Sequence, residues 1–180
     1  MALMASSRML TRADLDALPD DGLRHELIDG SLVMTPAPGM SHQDFVFALA
    51  RALHAATAGT DLKVMMAPYD VALGPHVVEP DIVVAARSSF TERDLPTPPL
   101  LVVEVRSPST AWIDEGRKRS LYEESGVNYY WLADPVEPSI TVLTLIDGRY
   151  EQTAYSREDE ALTLTNPFDI DVVPAQIVKG

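Results

Sequence analysis

A continuous apolar strand that ends in a carboxylate is the feature that most restricts what this chain can fold into. Leu100 to Val103 is apolar throughout, which suits a strand buried on both faces, and Glu104 closes the run. An ionised group taken out of water is costly unless it finds a cation, a metal or a full set of hydrogen bonds. Ser107, Pro108, Ser109 and Thr110 then supply turn chemistry. A helical pattern follows from about Ile113 to Ser125 and is stopped by Gly126. The unit reads strand, loop, helix, and Tyr129 to Ala133 follows it as another strand.

Lys118 gives this unit a chemical direction. It lies early in the helix, where side chains lean toward the N-terminus, so it can reach the strand end that carries Glu104. Asp114, Leu121 and Tyr122 share its face, and Asp114, one turn away, is the expected ion-pair partner. An earlier run, His76 to Ala85, repeats the pattern with Asp81 opening an apolar stretch after Pro80. Two buried carboxylates of this kind suit a divalent ion such as Mg²⁺, which takes oxygen ligands from one or two carboxylates, water and phosphate. A lysine beside such an ion stabilises charge or orients a water.

At these residues the chain resembles a known family. Pro80-Asp81, Glu104, Ser107-Pro108-Ser109, Asp114, Lys118, Tyr122 and Tyr130-Trp131-Leu132 are similar to the Uma-two family of endonuclease-like proteins, within the PD-(D/E)xK restriction-endonuclease-like superfamily. Arg24 to Gly30, Pro36-Ala37-Pro38 and Ser41-His42 resemble its amino-terminal signature, so the likeness runs from about Leu15 to Tyr150. The resemblance implies that Asp81 and Glu104 are the two acids of the superfamily motif and hold Mg²⁺ or Mn²⁺. It also implies DNA as substrate and phosphodiester hydrolysis as the reaction. The standard pattern has lysine two residues after the second acid, where this chain has Arg106. Either a lysine has moved into the following helix, which points to Lys118, or Arg106 itself fills the space. Arginine there can hold phosphate but cannot act as a base. Glu26 matches a further acid of the family and is assigned to the catalytic group, with completion of the metal site as one role. A cross-strand salt bridge is the plainer account of Glu26.

Charge pulls the other way. A formal net charge of -13 opposes long-range attraction to a polyanion, so substrate binding requires a local basic patch. Arg106, Arg117, Lys118 and Arg119 supply a modest one, unless they are an ordinary solvated helix face. Arg106, Arg117 and His42 are therefore the candidate substrate contacts. His42, at a helix start, binds phosphate, orients an acid or simply caps the helix. Catalytically, the alternative is a decayed module that uses the fold for nucleic-acid or protein binding without cleavage.

The remaining chain is consistent with one domain spanning 1–180, with a core of about 15–155, a short N-terminal helix and a C-terminal strand and tail. Thr11 caps a short helix to Leu18, and Arg24 to Met34 forms a hairpin about Asp29-Gly30. Ser41 is the expected cap of a long helix whose core stripe is Phe45, Leu49, Ala52, Leu53 and Ala56. Lys63 to Met66 and Tyr69 to Leu73 are read as strands in the middle of the sheet, and Arg87 to Pro99 as a mobile lip with a helical turn at Thr91 to Arg93. Ile140 to Ile146 and Tyr150 to Tyr155 pair about Asp147-Gly148, Leu162 to Leu164 is a last strand, and Phe168 to Val172 packs on the body. The expected class is α/β, a mixed central sheet flanked by helices. No membrane span is visible, and Met1 to Met9 lacks a secretory pattern, so a cytoplasmic location is expected. The lack of cysteine removes disulfides and thiolate chemistry. A two-stranded substrate favours a homodimer, which the sequence leaves open.

Overall fold

Period-two alternation of apolar residues marks out the strands, and tight hairpin turns set the register between neighbours. In the first turn Asp29 and Gly30 both have positive φ, 51° and 65°, the conformation that a two-residue hairpin with right-handed strand twist requires. The structure, a computed structural model, describes residues 2–4, 8–19, 21–107 and 114–179.

The first sheet has six strands in the order β1-β3-β2-β6-β5-β8: β1 (Ala2–Met4), β2 (Arg24–Ile28), β3 (Ser31–Thr35), β5 (Asp70–Leu73), β6 (His76–Val78) and β8 (Asp94–Leu95). The second also has six, in the order β12-β11-β10-β9-β7-β4: β4 (Leu62–Met66), β7 (Ile82–Ala86), β9 (Leu101–Val105), β10 (Tyr129–Asp134), β11 (Ser139–Ile146) and β12 (Arg149–Arg157). β9 and β10 run parallel, while β9 and β7 run antiparallel, so this sheet is mixed. A π-helical turn, Asp114–Lys118, and α3 (Arg119–Glu124) lie in the crossover between β9 and β10. The remaining elements are α1 (Arg12–Asp16), α2 (Met40–Ala56), the pair β13 (Leu162–Leu164) and β14 (Ile170–Val172), and α4 (Pro174–Lys179).

Alternation gives the second sheet two different faces. Ile82, Val84, Leu101, Val103, Val105 and Trp131 pack with Phe45, Leu49 and Leu53 of α2. Val83, Ala85, Val102 and Tyr130 pack instead with Ile28, Val33, Val71 and Val78 of the first sheet. The molecule is thus layered, with sheet on sheet on one side and helix on sheet on the other. At roughly 1.5–3 kcal/mol for each fully buried large aliphatic or aromatic side chain, these two cores are the main source of stability.

Several expectations change. The run from His76 to Ala85 is not one strand: it breaks at Glu79-Pro80-Asp81, and the chain passes there from the first sheet to the second. Proline lacks the N–H that a continuous ladder needs. β4 and β5 are not central, since β4 is an outer strand of the second sheet and β5 lies one strand from the edge of the first. α2 starts at Met40 behind Gly39, not behind Ser41. The 87–99 segment is tied down rather than loose: it holds a 3₁₀ turn at Arg87–Ser89 and strand β8, and Tyr69 OH donates to Thr91 O at 2.7 Å. The expected turn at Pro108, Ser109 and Thr110 and the helix start at Ile113 lie outside the described residues. Strand β1 and helix α4 had no reading in the sequence. Among the described residues, no helix is long and apolar enough to cross a membrane.

Candidate active site

Two strands, the link between the sheets and one helical turn deliver four charged side chains to the edge of the inter-sheet core. On β2, Arg24, Glu26 and Ile28 share a face by alternation, and Ile28 belongs to the inter-sheet core. On β9, Glu104 shares the face of Val102, which also belongs to that core, while Val103 and Val105 face α2. Asp81 stands where the chain crosses between the sheets, immediately before β7. Lys118 ends the π-helical turn. Glu26, Asp81, Glu104 and Lys118 are all buried, at 2%, 3%, 2% and 3% exposure.

Lys118 joins the two glutamates. Its Nζ lies 2.9 Å from Glu26 Oε1 and 3.0 Å from Glu104 Oε1. Glu26 Oε1 also accepts the Glu79 backbone N–H at 2.8 Å, and Glu104 Oε1 accepts the Tyr122 hydroxyl at 2.7 Å. Burial, then the Glu104 charge, pushes the Tyr122 phenol well above its ordinary range, so it remains a donor.

Asp81 is held from three directions. Its Oδ2 accepts the Val105 N–H at 2.8 Å and lies 3.2 Å from His42 Nε2, and its Oδ1 lies 3.2 Å from Arg24 Nη2. His42 Nε2 is also 3.2 Å from Val105 O, so a neutral ring protonated on Nε2 donates to both oxygens. Burial lowers the His42 pKa, and that effect exceeds the opposing pull of Asp81. Its buried Nδ1 has no partner among the described residues. Arg24 is held protonated despite burial by Asp81, Glu104 and Glu26, and its Nε lies 3.9 Å from Glu79 Oε2. Burial raises the Glu79 pKa, opposed by Arg24.

Glu26, Glu79, Asp81 and Glu104 share this largely buried place with Arg24 and Lys118. All the acidic donors are hard oxygens, the chemistry that Mg²⁺ and Mn²⁺ select. No group of three or more His, Cys, Asp or Glu among the described residues forms a ready-made metal cage. Asp81 and Glu104 are oxygen donors of the kind that Mg²⁺ accepts, one or two at a time, with water or phosphate completing its shell.

The expected basic patch does not converge. Arg106 Nη1 reaches Asp134 Oδ2 at 3.1 Å, Arg117 Nη2 reaches Asp29 Oδ2 at 2.9 Å and Ile28 O at 3.2 Å, and Arg119 Nη2 reaches Tyr150 O at 3.2 Å. Lys118 of this group turns inward to Glu26 and Glu104, whereas Arg106, Arg117 and Arg119 meet peripheral groups. The side chain of Asp114, its expected partner, lies outside the described residues. The sequence assigns no site role to Glu79, while Arg24 enters it only within the amino-terminal signature and Tyr122 only on the face of Lys118. The alternation of Arg24 with Glu26 and the four-residue spacing of Lys118 and Tyr122 were the signals available for two of them.

With this geometry in place, comparison with known proteins is informative. The family model Uma2, described as "Putative restriction endonuclease", matches residues 12–175. A solved structure, described as "a putative nuclease belonging to DUF820 from Anabaena variabilis", is similar at a TM-score of 0.77 and 18% identity, covering 94% of this chain and 98% of that one. At that identity the likeness shows the shared fold. No curated protein matches the chain.

Proposed function

The chain belongs to the Uma2 family, and from that premise we propose that it is a metal-dependent endonuclease hydrolysing DNA phosphodiester bonds. The observation that carries this reading is the buried Lys118 ammonium between two glutamates, beside a third carboxylate, Asp81, that a backbone N–H and Arg24 hold in place.

Asp81 and Glu104 are the residues that would hold Mg²⁺ or Mn²⁺. Such an ion supplies Lewis acidity toward phosphoryl oxygens and acidifies water at neutral pH. The chain's own contribution is positioning and charge. Val105 N–H and His42 fix the Asp81 carboxylate. Lys118 brings a positive charge to the place where negative charge builds up on the phosphate oxygens as the bond breaks. Glu26 anchors Lys118 to the first sheet and so sets how far the ammonium can move. Arg106, just past β9 and 41% exposed in its side chain, would make a peripheral phosphate contact on releasing Asp134. The same holds for Arg117 and Asp29.

A second reading is favoured by charge: a net of -13, with the peripheral arginines already paired, suits a module that binds without cleaving. Plasmid nicking in Mg²⁺ or Mn²⁺, run beside a calorimetric Mn²⁺ titration, separates the two. The nuclease reading expects cleavage and carboxylate-dependent metal binding, both lost in Asp81→Ala. Absence of both from the parent protein supports the binding module.

A further inference from the structure

Lys118 and Tyr122 stand one helical turn apart and donate to the same oxygen, Glu104 Oε1, at 3.0 Å and 2.7 Å. The two donors differ in stiffness. An ammonium on a four-carbon stem rotates easily, whereas a phenol has two side-chain torsions and a rigid ring. The Tyr122 ring is fully buried and lies edge-on to Tyr130, with centroids 5.1 Å apart, and Tyr130 packs on Tyr150 at 5.8 Å. The Tyr150 hydroxyl itself donates elsewhere, to Val127 O at 2.8 Å. A three-ring stack thus backs the hydroxyl that meets Glu104.

We infer that Tyr122 is a positioning residue that fixes the Glu104 carboxylate for metal binding, while Lys118 supplies charge. This rests on the nuclease reading, because it takes Glu104 as a metal ligand. Outer partners that orient a ligand typically contribute about 10–100-fold in metal affinity or activity. A hydroxyl that only satisfies a buried core would have no such effect.

Tyr150 is the internal control: it is in the same stack and its hydroxyl is also buried in a hydrogen bond, but that bond goes to Val127. The test is a calorimetric Mn²⁺ titration of the full chain, parent, Tyr122→Phe and Tyr150→Phe, with thermal melts of each. Tyr122→Phe is expected to bind Mn²⁺ about 10–100-fold more weakly, and Tyr150→Phe to match the parent. Parent-like binding by Tyr122→Phe overturns the assignment, as does equal weakening in both variants. A parent that takes no Mn²⁺ removes the metal reading itself, and this inference with it. If Tyr122→Phe does not fold, a 3-fluorotyrosine-labelled chain gives the second measurement. A buried fluorine resonance that persists in Tyr130→Phe and Tyr150→Phe should move on adding Mg²⁺, and a fixed one overturns the proposal.

Discussion

Lys118 and its neighbours Arg106 and Arg117 are close in sequence yet occupy opposite electrostatic settings. Lys118 is almost wholly enclosed by Glu26 and Glu104, whereas Arg106 and Arg117 keep 41% and 32% of their side chains exposed and pair with Asp134 and Asp29 at the periphery. Contact distances are nearly the same in both settings. What differs is the solvent, because water screens a surface pair and leaves a buried one to depend on its partners. The comparison teaches that a basic cluster read from sequence is not one functional unit: one member is built into the site and the others are held outside it.

The largest effect is expected from the carboxylates that share the buried setting. Asp81→Ala and Glu104→Ala should each abolish plasmid nicking and calorimetric Mn²⁺ binding together. Retention of full metal affinity by either variant would break the assignment of that residue as a ligand. Next comes Lys118→Ala, expected to lower cleavage by roughly 10²- to 10³-fold, by analogy with loss of one transition-state donor. Because it strands two buried carboxylates, it should also destabilise the fold by about 3–5 kcal/mol in denaturant titration. Metal affinity should change far less than in the carboxylate variants, since an ammonium is not a ligand. If Lys118→Ala cleaves like the parent while Arg106→Ala is inactive, the contrast between the two cations is reversed.

Glu26→Gln is a finer probe, since it keeps an acceptor for the Glu79 N–H but removes the charge beside Lys118. A loss of about 1 kcal/mol in stability is expected from replacing a charge-assisted bond by a neutral one, with Mn²⁺ affinity nearly kept. A large loss of Mn²⁺ binding in this variant would instead make Glu26 a ligand. The smallest effects belong to Arg106→Ala and Arg117→Ala, each about 0–1 kcal/mol in stability. Their influence on cleavage should appear as weaker, salt-sensitive substrate binding at an unchanged rate at saturation. A lowered saturated rate for either would move that arginine into the reacting site.

Much of this arrangement was legible in the chain because it follows from local rules. The Leu101–Val105 strand, the hairpins at Asp29-Gly30 and Asp147-Gly148, the apolar stripe of α2 and the Gly126 stop all depend on residues near in sequence. The less legible parts depend on distant partners. Pro80 was read as the start of a strand, but its effect is to let the chain change sheets, and only the presence of a second sheet makes that visible. β4 looked central because an apolar run has the same composition whether it lies in the middle of a sheet or at its edge under a helix.

The sequence by itself determined which residues could carry the chemistry: a strand closed by Glu104, a carboxylate at Asp81, and a lysine one helix later. Pairing was decided by tertiary structure. Glu26 and Glu104 belong to different sheets, 78 positions apart in the chain, and meet at Lys118 because the two sheets pack face to face over an apolar core. Arg24 meets Asp81 across the same gap. No local pattern specifies such contacts, since alternation says which face of a strand a side chain takes but not what that face will be packed against.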